Sequence, residues 1–321
     1  MGMAMHHRRK QWRGVLLTLF LIIFLEKESE CLAEPPITAM AISLDNKLVI
    51  AGSQRGLVVR EWPSLDHGRA IDCGLDSIHD LCISPDGKGV LVAGGSPGTS
   101  GVVQLRSFPD LGLERSWSEH HDVVYKAAWS ENGLEWVSVS WDGYCRICKW
   151  NAPTSHVTSK SHSGPVFAAT FLKLDAVATA GADRTIAVWN SVSGQSSRVL
   201  RQHTGIVHAL ALQPARQDGQ EQLLASASED RTIRFWQASI GRMVRFHRFA
   251  STPRSIAWTH DGRWLIVGND DGTVVQLDPT SLNLSVFSNR DASVLNLVVG
   301  ADNARLLVSE GSELRSIVLP K

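Results

Sequence analysis

The sequence predicts an all-β fold built from seven repeats of one unit of four short strands. Two segments, residues 178–189 and 225–236, share the pattern Ala-x-Ala-x-x-Asp-Arg-Thr-Ile-x-x-Trp. The corresponding aspartates recur at positions 142, 183, 230 and 271, at spacings of 41, 47 and 41 residues. A period of roughly 40–45 residues fits four strands per unit. Since no stretch shows the 3.6-residue apolar period of an amphipathic helix, we expect few helices.

Each unit follows the same order of strands and turns. An apolar strand a, such as residues 207–212, leads into a turn containing Gly or Asn, as at residues 84–87. Gly and Asn tolerate the positive φ values that tight turns need. A short strand b rich in small residues, a turn with Asp, a strand c and a weaker strand d complete the unit. The predicted units are residues 37–76, 77–121, 122–163, 164–204, 205–251, 252–292 and 293–321.

These repeats resemble the WD-repeat family, most closely in the fourth and fifth units. The resemblance covers the chain after residue 36 and implies a seven-bladed β-propeller of four-stranded antiparallel blades. It also implies a buried network in each complete unit, formed by His before strand a, Ser or Thr on strand b, Asp in the b–c turn and Trp on strand c. Carried over by position, the network residues are His162, Thr179, Asp183 and Trp189; His203, Ser226, Asp230 and Trp236; and His120, Ser138 and Asp142.

Some units depart from this pattern. Cys148 occupies the expected Trp position of the third unit, with Trp150 two residues later, so we expect an incomplete network there. Leu277 replaces Trp in the sixth unit, and Arg55 replaces Asp in the first. A Ser-His-Asp set could also be a catalytic triad, but a triad needs an exposed nucleophile beside an oxyanion hole. Because the set recurs in at least two units, each with a partner Trp, we interpret it as structural.

Two positions per unit are predicted to point to the face that carries the d–a and b–c loops, where propellers of this family often hold partners. The first lies at the start of strand a and the second precedes the turn Asp. From these positions we predict a partner face formed by Trp141, Tyr125, Phe167, His208, Arg254 and His79. Thr38 and Leu295 are the corresponding strand-a residues of the first and last units, and Ala182, Glu229 and Asp270 also precede a turn Asp. Tyr125 and Phe167 have an alternative interpretation as core residues of the central channel.

Composition and motifs argue against several classes of function. Lys plus Arg equals Asp plus Glu at 32 each, so no charge surplus favours nucleic acid as a partner. Cys145 and Cys148 form a CxxC spacing, but residues three apart on a strand face opposite sides, and no second pair completes a zinc site. We therefore expect no metal, no cofactor and no enzyme activity. The predicted function is a protein-interaction scaffold; the alternative is a propeller enzyme or small-ligand binder that uses His79, His208 and Arg254 in the channel.

Residues 1–33 have the pattern of a secretory signal or short anchor. A basic segment precedes the apolar residues 15–25, a run of 11 residues that is short for a bilayer, which needs roughly 20. Cleavage would place the protein outside the cytoplasm, secreted or periplasmic; an uncleaved segment would anchor it to a membrane through residues 15–25. The last unit ends after a predicted strand c. Its fourth strand comes from residues before Ile37, or the last blade has three strands, or the ring is weakly latched.

Overall fold

Tight turns between short antiparallel strands determine the architecture. In the turn between the first two strands of several units, a residue with positive φ reverses the chain, as at Asn46, Gly87, Gly133 and Gly262. The computed structural model describes residues 34–320 except 151, 174 and 216–220. Within these residues all regular secondary structure is β-strand, which confirms the all-β prediction.

The strands form seven separate antiparallel sheets, which we number as blades 1 to 7 in chain order. Blades 1 to 3 contain β1 Ala39–Ile42, β2 Leu48–Ser53, β3 Gly56–Glu61, β4 Arg69–Ile71; β5 Ser77–Ile83, β6 Gly89–Ser96, β7 Ser100–Ser107, β8 Leu113–His120; β9 Val124–Trp129, β10 Glu135–Ser140, β11 Cys145–Lys149, β12 Ala152–Ser159. Blades 4 and 5 contain β13 Val166–Phe171, β14 Ala176–Gly181, β15 Ile186–Asn190, β16 Ser196–Leu200; β17 Val207–Leu212, β18 Leu224–Ser228, β19 Thr232–Gln237, β20 Arg242–Arg248. Blades 6 and 7 contain β21 Pro253–Trp258, β22 Leu265–Asn269, β23 Val274–Leu277, β24 Leu284–Ser288; β25 Val294–Val299, β26 Arg305–Glu310, β27 Glu313–Val318.

The seven sheets confirm the predicted seven-bladed propeller. Blades 1 to 6 have four strands each, and the described part of blade 7 has three. Blades 7 and 1 are joined by hydrogen bonds from Ile37 N to Gly311 O (2.8 Å) and from Asn296 Nδ2 to Thr38 O (2.5 Å). The predicted signal segment, residues 1–33, lies outside the described residues, as does any strand preceding Ile37 that it would supply. Over the described part of the chain, no helix is long and apolar enough to cross a membrane.

The hydrophobic core lies between neighbouring blades. Cys145 packs with Val166 and Ala169 of blade 4, whereas Cys148 packs with Leu91 and Val103 of blade 2. The two cysteines therefore face opposite sides of their strand, as the alternation of side chains requires. Burial raises the pKa of both thiols to about 12, so they are protonated at neutral pH.

Candidate partner-binding face

A β-bulge at the start of strand a sets the direction of the predicted strand-a residues. In blades 2 to 7 the pairing of strands a and b skips one residue, and that residue is the predicted one in every case: His79, Tyr125, Phe167, His208, Arg254 and Leu295. A bulge leaves one residue outside the ladder and redirects its side chain. The sequence reasoning found these positions by spacing, but it did not predict the bulges.

The residue before the turn Asp is tied to the same bulge by the backbone. Its N–H donates to a carbonyl that lies two residues before the bulged residue. This bond joins Trp141 to Val123 O (3.1 Å) in blade 3 and Glu229 to Ile206 O (2.9 Å) in blade 5. Ala182 in blade 4 and Asp270 in blade 6 make the same bond. Each of these blades thus presents two side chains side by side, one from strand a and one from the b–c turn.

Three aromatic side chains from blades 3 and 4 form one cluster on the partner face. The ring centroids of Tyr125 and Phe167 are 5.2 Å apart, those of Tyr125 and Trp141 5.9 Å, and those of Trp141 and Phe167 5.7 Å. Separations of 4.5–7 Å in offset or edge-to-face arrangements are favourable for aromatic pairs. Trp141 is 47% exposed, while Tyr125 and Phe167 are half-buried. The cluster therefore combines a fixed arrangement with an open apolar surface.

Polar side chains extend this cluster on both sides. His79 of blade 2 stacks on Tyr125 at 4.5 Å between ring centroids, and His208 of blade 5 lies 6.2 Å from Phe167. Arg254 of blade 6 contacts His208 with 3.1 Å between Nη1 and Nε2. The structure thus brings all six residues of the predicted partner face into one row across blades 2 to 6.

At the end of the row formed by blades 5 and 6, the carboxylate of Glu229 and the guanidinium of Arg254 lie around the imidazole of His208. Glu229 Oε1 lies 3.2 Å from His208 Nε2 and 3.9 Å from Arg254 Nη1. Burial, together with the positive charge of Arg254, lowers the pKa of His208, and burial lowers the pKa of His79. Both imidazoles therefore favour the neutral form, and the ionic groups of this end are Glu229 and Arg254.

The predicted network residues are hydrogen-bonded in blades 4 and 5. His203 Nδ1 lies 2.8 Å from Asp230 Oδ2, and His203 Nε2 lies 2.7 Å from Ser226 Oγ. The indole N–H of Trp236 donates to Ser226 Oγ at 2.9 Å. In blade 4, His162 contacts Asp183 at 3.1 Å and Thr179 at 2.9 Å, and the Trp189 indole donates to Thr179 Oγ1 at 3.2 Å. These side chains are buried, apart from the partly accessible Asp183. The hydrogen bonds within the network replace those that water would make to the same polar groups.

Blade 3 forms the same network without the indole. His120 lies 2.9 Å from both Asp142 Oδ2 and Ser138 Oγ. Cys148 is the cross-strand partner of Trp136, just as Trp189 is the cross-strand partner of Val177 in blade 4. Cys148 therefore occupies the strand-c position that Trp189 holds in the complete network. Trp150 lies at the opposite end of the blade, with its ring 6.2 Å from that of Trp129.

A hydroxyl two residues after the turn Asp is a network member that the sequence reasoning missed. Thr185 Oγ1 donates to Asp183 Oδ1 at 2.9 Å, and Thr232 Oγ1 donates to Asp230 Oδ1 at 2.5 Å. The repeated Asp-x-Thr pattern was the available signal. Among the described residues, no group of three or more His, Cys, Asp or Glu side chains could hold a metal ion.

Comparison with known proteins agrees with this architecture. Three segments, residues 112–149, 194–237 and 243–278, match the family model described as WD domain, G-beta repeat. The chain is 24% identical over 198 residues to p21-activated protein kinase-interacting protein 1-like of Danio rerio, covering 60% of the chain and 52% of that protein. It is 38% identical over 116 residues to ribosome biogenesis protein YTM1 of Chaetomium thermophilum, covering 32% of the chain and 22% of that protein. It is 33% identical over 131 residues to pre-mRNA-processing factor 19 of Bos taurus, covering 39% of the chain and 25% of that protein.

The repeats, the seven blades and these matches together define the class of protein. The chain is a seven-bladed β-propeller, and three of its segments match WD repeats. It spans about half of the length of the first of these relatives and about a quarter of the other two. Propellers of this family are generally non-catalytic and generally bind protein partners.

Proposed function

We propose that this propeller is a non-catalytic scaffold that captures a segment of a protein partner on the partner face. The observation that carries the proposal is the row of six contacting side chains from five blades, with Trp141 exposed at its apolar centre. Interface hot spots are enriched in Trp, Tyr and Arg, which fill well-packed, desolvated pockets of a partner. The row contains three aromatic side chains and one Arg.

The chemistry of the row indicates what the partner segment must provide. The cluster of Tyr125, Trp141 and Phe167 offers an apolar surface, so the segment should contribute a large apolar side chain there. Glu229 and Arg254 carry opposite charges, and about two-fifths of each side chain is exposed. They can pair with polar or charged groups on the same segment, which would fix its direction across the face.

Replacement of Trp141 by alanine tests this proposal, and Trp150→Ala is a matched control. Trp150 is 40% exposed, similar to Trp141, but lies at the other end of strand c. Partners are captured from the native host on immobilised protein and identified, and the Kd of each is measured with wild type and both variants. We expect Trp141→Ala to weaken binding by at least about tenfold, a loss of about 1.4 kcal/mol or more, and Trp150→Ala to leave Kd unchanged.

Thermal unfolding separates binding from folding. Because nearly half of the Trp141 side chain is already in water, its truncation should lower stability by less than about 1 kcal/mol. A large loss of stability would identify Trp141 as a core residue. Equal partner binding by wild type and Trp141→Ala would place the binding surface elsewhere.

We further propose, from the sequence pattern of residues 1–33, that the protein is exported or faces a membrane. The support is the basic segment followed by the apolar residues 15–25. The test is the intact mass and the cell fraction of the chain from its native host. Loss of about 33 residues would support export, full-length chain in the membrane fraction would support an anchor, and full-length soluble chain would refute both.

A further inference from the structure

The outer edge of blade 5 has an excess of positive charge. Its last strand, β20 (Arg242–Arg248), contains three Arg and one His and has no acidic residue. The outer strand of blade 2, β8 (Leu113–His120), in contrast contains both Glu and Arg. Since β20 is the terminal strand of its sheet, within the described residues one edge of its backbone is unpaired. An edge strand is a template onto which another strand can add.

Cations project from both faces of β20. Arg248 and Phe246 pair across the sheet with Thr232 and Arg234, and they share one face. Arg242 pairs with Gln237 and projects to the other face, together with Arg245 and His247. Arg242 and Arg248 are exposed, and neither forms an ion pair with a described residue. A strand added at this edge would therefore meet positive charge on both of its faces.

Comparison of blades 3 and 5 shows that the positive charge around Arg234 in blade 5 is not fully neutralised. Blades 3 and 5 each have an Arg four residues after the turn Asp. In blade 3, Arg146 lies between two carboxylates, 3.8 Å from Asp142 and 3.9 Å from Glu119. In blade 5 the equivalent Arg234 lies 3.7 Å from Asp230. Asp142 and Asp230 are each also bonded to an imidazole, but among the described residues only Arg146 has a second carboxylate within 4 Å.

A second cation, Arg248, lies near Arg234. Burial and the nearby Arg248 both lower the pKa of Arg234, while Asp230 raises it. Arg234 therefore has one carboxylate as an ion-pair partner and a second guanidinium group nearby. An external anion would relieve the repulsion between Arg234 and Arg248 and provide the second negative charge that Glu119, on β8 of blade 2, provides for Arg146.

An exposed aromatic side chain lies within this basic edge. Phe246 is 47% exposed, and its ring lies 5.6 Å from the Arg234 guanidinium carbon. Phe246 therefore offers a partly stacked apolar surface on one face of the strand. A bound segment could place an apolar side chain there between its acidic residues.

We propose that β20 and Arg234 form a second binding surface, which takes an extended acidic segment of a protein partner as an added strand of blade 5. The unpaired backbone edge supplies main-chain hydrogen bonds, and the arginines select acidic side chains. This surface lies on the outer edge of the propeller and is distinct from the partner face.

The test uses the full chain and a fluorescein-labelled dodecapeptide of alternating Glu and Val, monitored by fluorescence anisotropy. A second peptide of the same sequence is N-methylated at alternate residues, which blocks strand pairing and preserves charge. The double variant Arg242→Gln/Arg248→Gln is compared with Arg115→Gln/Arg263→Gln, which removes the same charge from other blades. We expect the double variant and the N-methylated peptide each to weaken binding at least about tenfold, and the control variant to change Kd less than about twofold.

Three results would overturn the proposal. Equal affinity for both peptides would exclude strand addition, and an equal loss in the control variant would reduce the effect to net charge. An oligothymidylate of the same charge that binds as tightly as the peptide would identify a nucleic-acid surface instead. Because the partner face takes no part, Trp141→Ala should bind the acidic peptide with wild-type affinity.

Discussion

The hydrogen-bond network of blade 5 leads to a quantitative prediction for Asp230→Ala. The side chain of Asp230 is only 3% exposed, and its carboxylate accepts bonds from His203, Thr204 N, Thr232 N and the Thr232 hydroxyl. Truncation leaves four donors without an acceptor. Stranding a buried polar group costs about 1–3 kcal/mol, and relaxation reduces the sum over neighbouring groups.

The pKa of Asp230 gives a second measure of the same interactions. Burial alone would raise this pKa, but hydrogen bonds from Thr232 and His203 lower it from 3.8 to about 2. At about 1.36 kcal/mol per pKa unit, the difference corresponds to roughly 2 kcal/mol in favour of the carboxylate. We therefore expect Asp230→Ala to lower the free energy of unfolding by about 2–3 kcal/mol.

Asp271→Ala is the matched control for this measurement. Asp271 occupies the same turn position in blade 6, but it is exposed, and no imidazole bonds to it among the described residues; Thr273 donates to it through its N–H and its hydroxyl. Its loss should cost less than about 1 kcal/mol. The assay is urea unfolding at pH 7, followed by circular dichroism, with Tm from calorimetry. If Asp230→Ala costs no more than Asp271→Ala, the buried network does not stabilise the propeller as argued.

Three further predictions follow from buried groups. The pKa values of the three network aspartates, in blades 3 to 5, are all about 2, below their unfolded value; their stabilisation is complete above about pH 4 and should be lost as the pH falls toward 2, which urea unfolding at several pH values would detect. Lys126→Met removes the cation 2.8 Å from Asp80, whose pKa burial already raises. We expect a loss of about 1–3 kcal/mol at pH 7 that becomes smaller as the pH falls and Asp80 takes up a proton, which urea unfolding at several pH values would detect. Gly94→Ala would place a Cβ 1.9 Å from Ser77 O, so we expect a Tm several degrees lower, and an unchanged Tm would contradict that close approach.

The repeat pattern was sufficient to predict the fold and much of the site, because both depend on local spacing. Strand pairing in a propeller connects neighbours in sequence, so turn residues at fixed intervals define each blade. The same spacing identified Tyr125, Phe167 and His208 as side chains on one face. Their mutual contacts were harder to predict, since they depend on the angle between blades and on rotamers that no repeat pattern encodes.

Other features depended on contacts between residues distant in sequence. The excess charge of blade 5 depends on Arg248 lying near Arg234, and on Arg234 having, among the described residues, no second carboxylate like Glu119 beside Arg146. Overall charge balance concealed this local surplus, because the 32 acidic residues equal the 32 Lys and Arg only as a total.

The stabilising network and the candidate partner face are connected through the backbone of the b–c turn. In blade 5, Asp230 fixes the b–c turn through His203, and the preceding Glu229 donates its N–H to Ile206 O, two residues before the bulged His208. The buried carboxylate therefore holds the backbone whose neighbouring side chains are presented to a partner. Blade 3 repeats the arrangement with Asp142, Trp141 and Tyr125. The residue before each Asp can therefore vary without disturbing the network. Blades 3 and 5 share the same His–Asp network, yet blade 3 presents aromatic side chains and blade 5 presents charged ones.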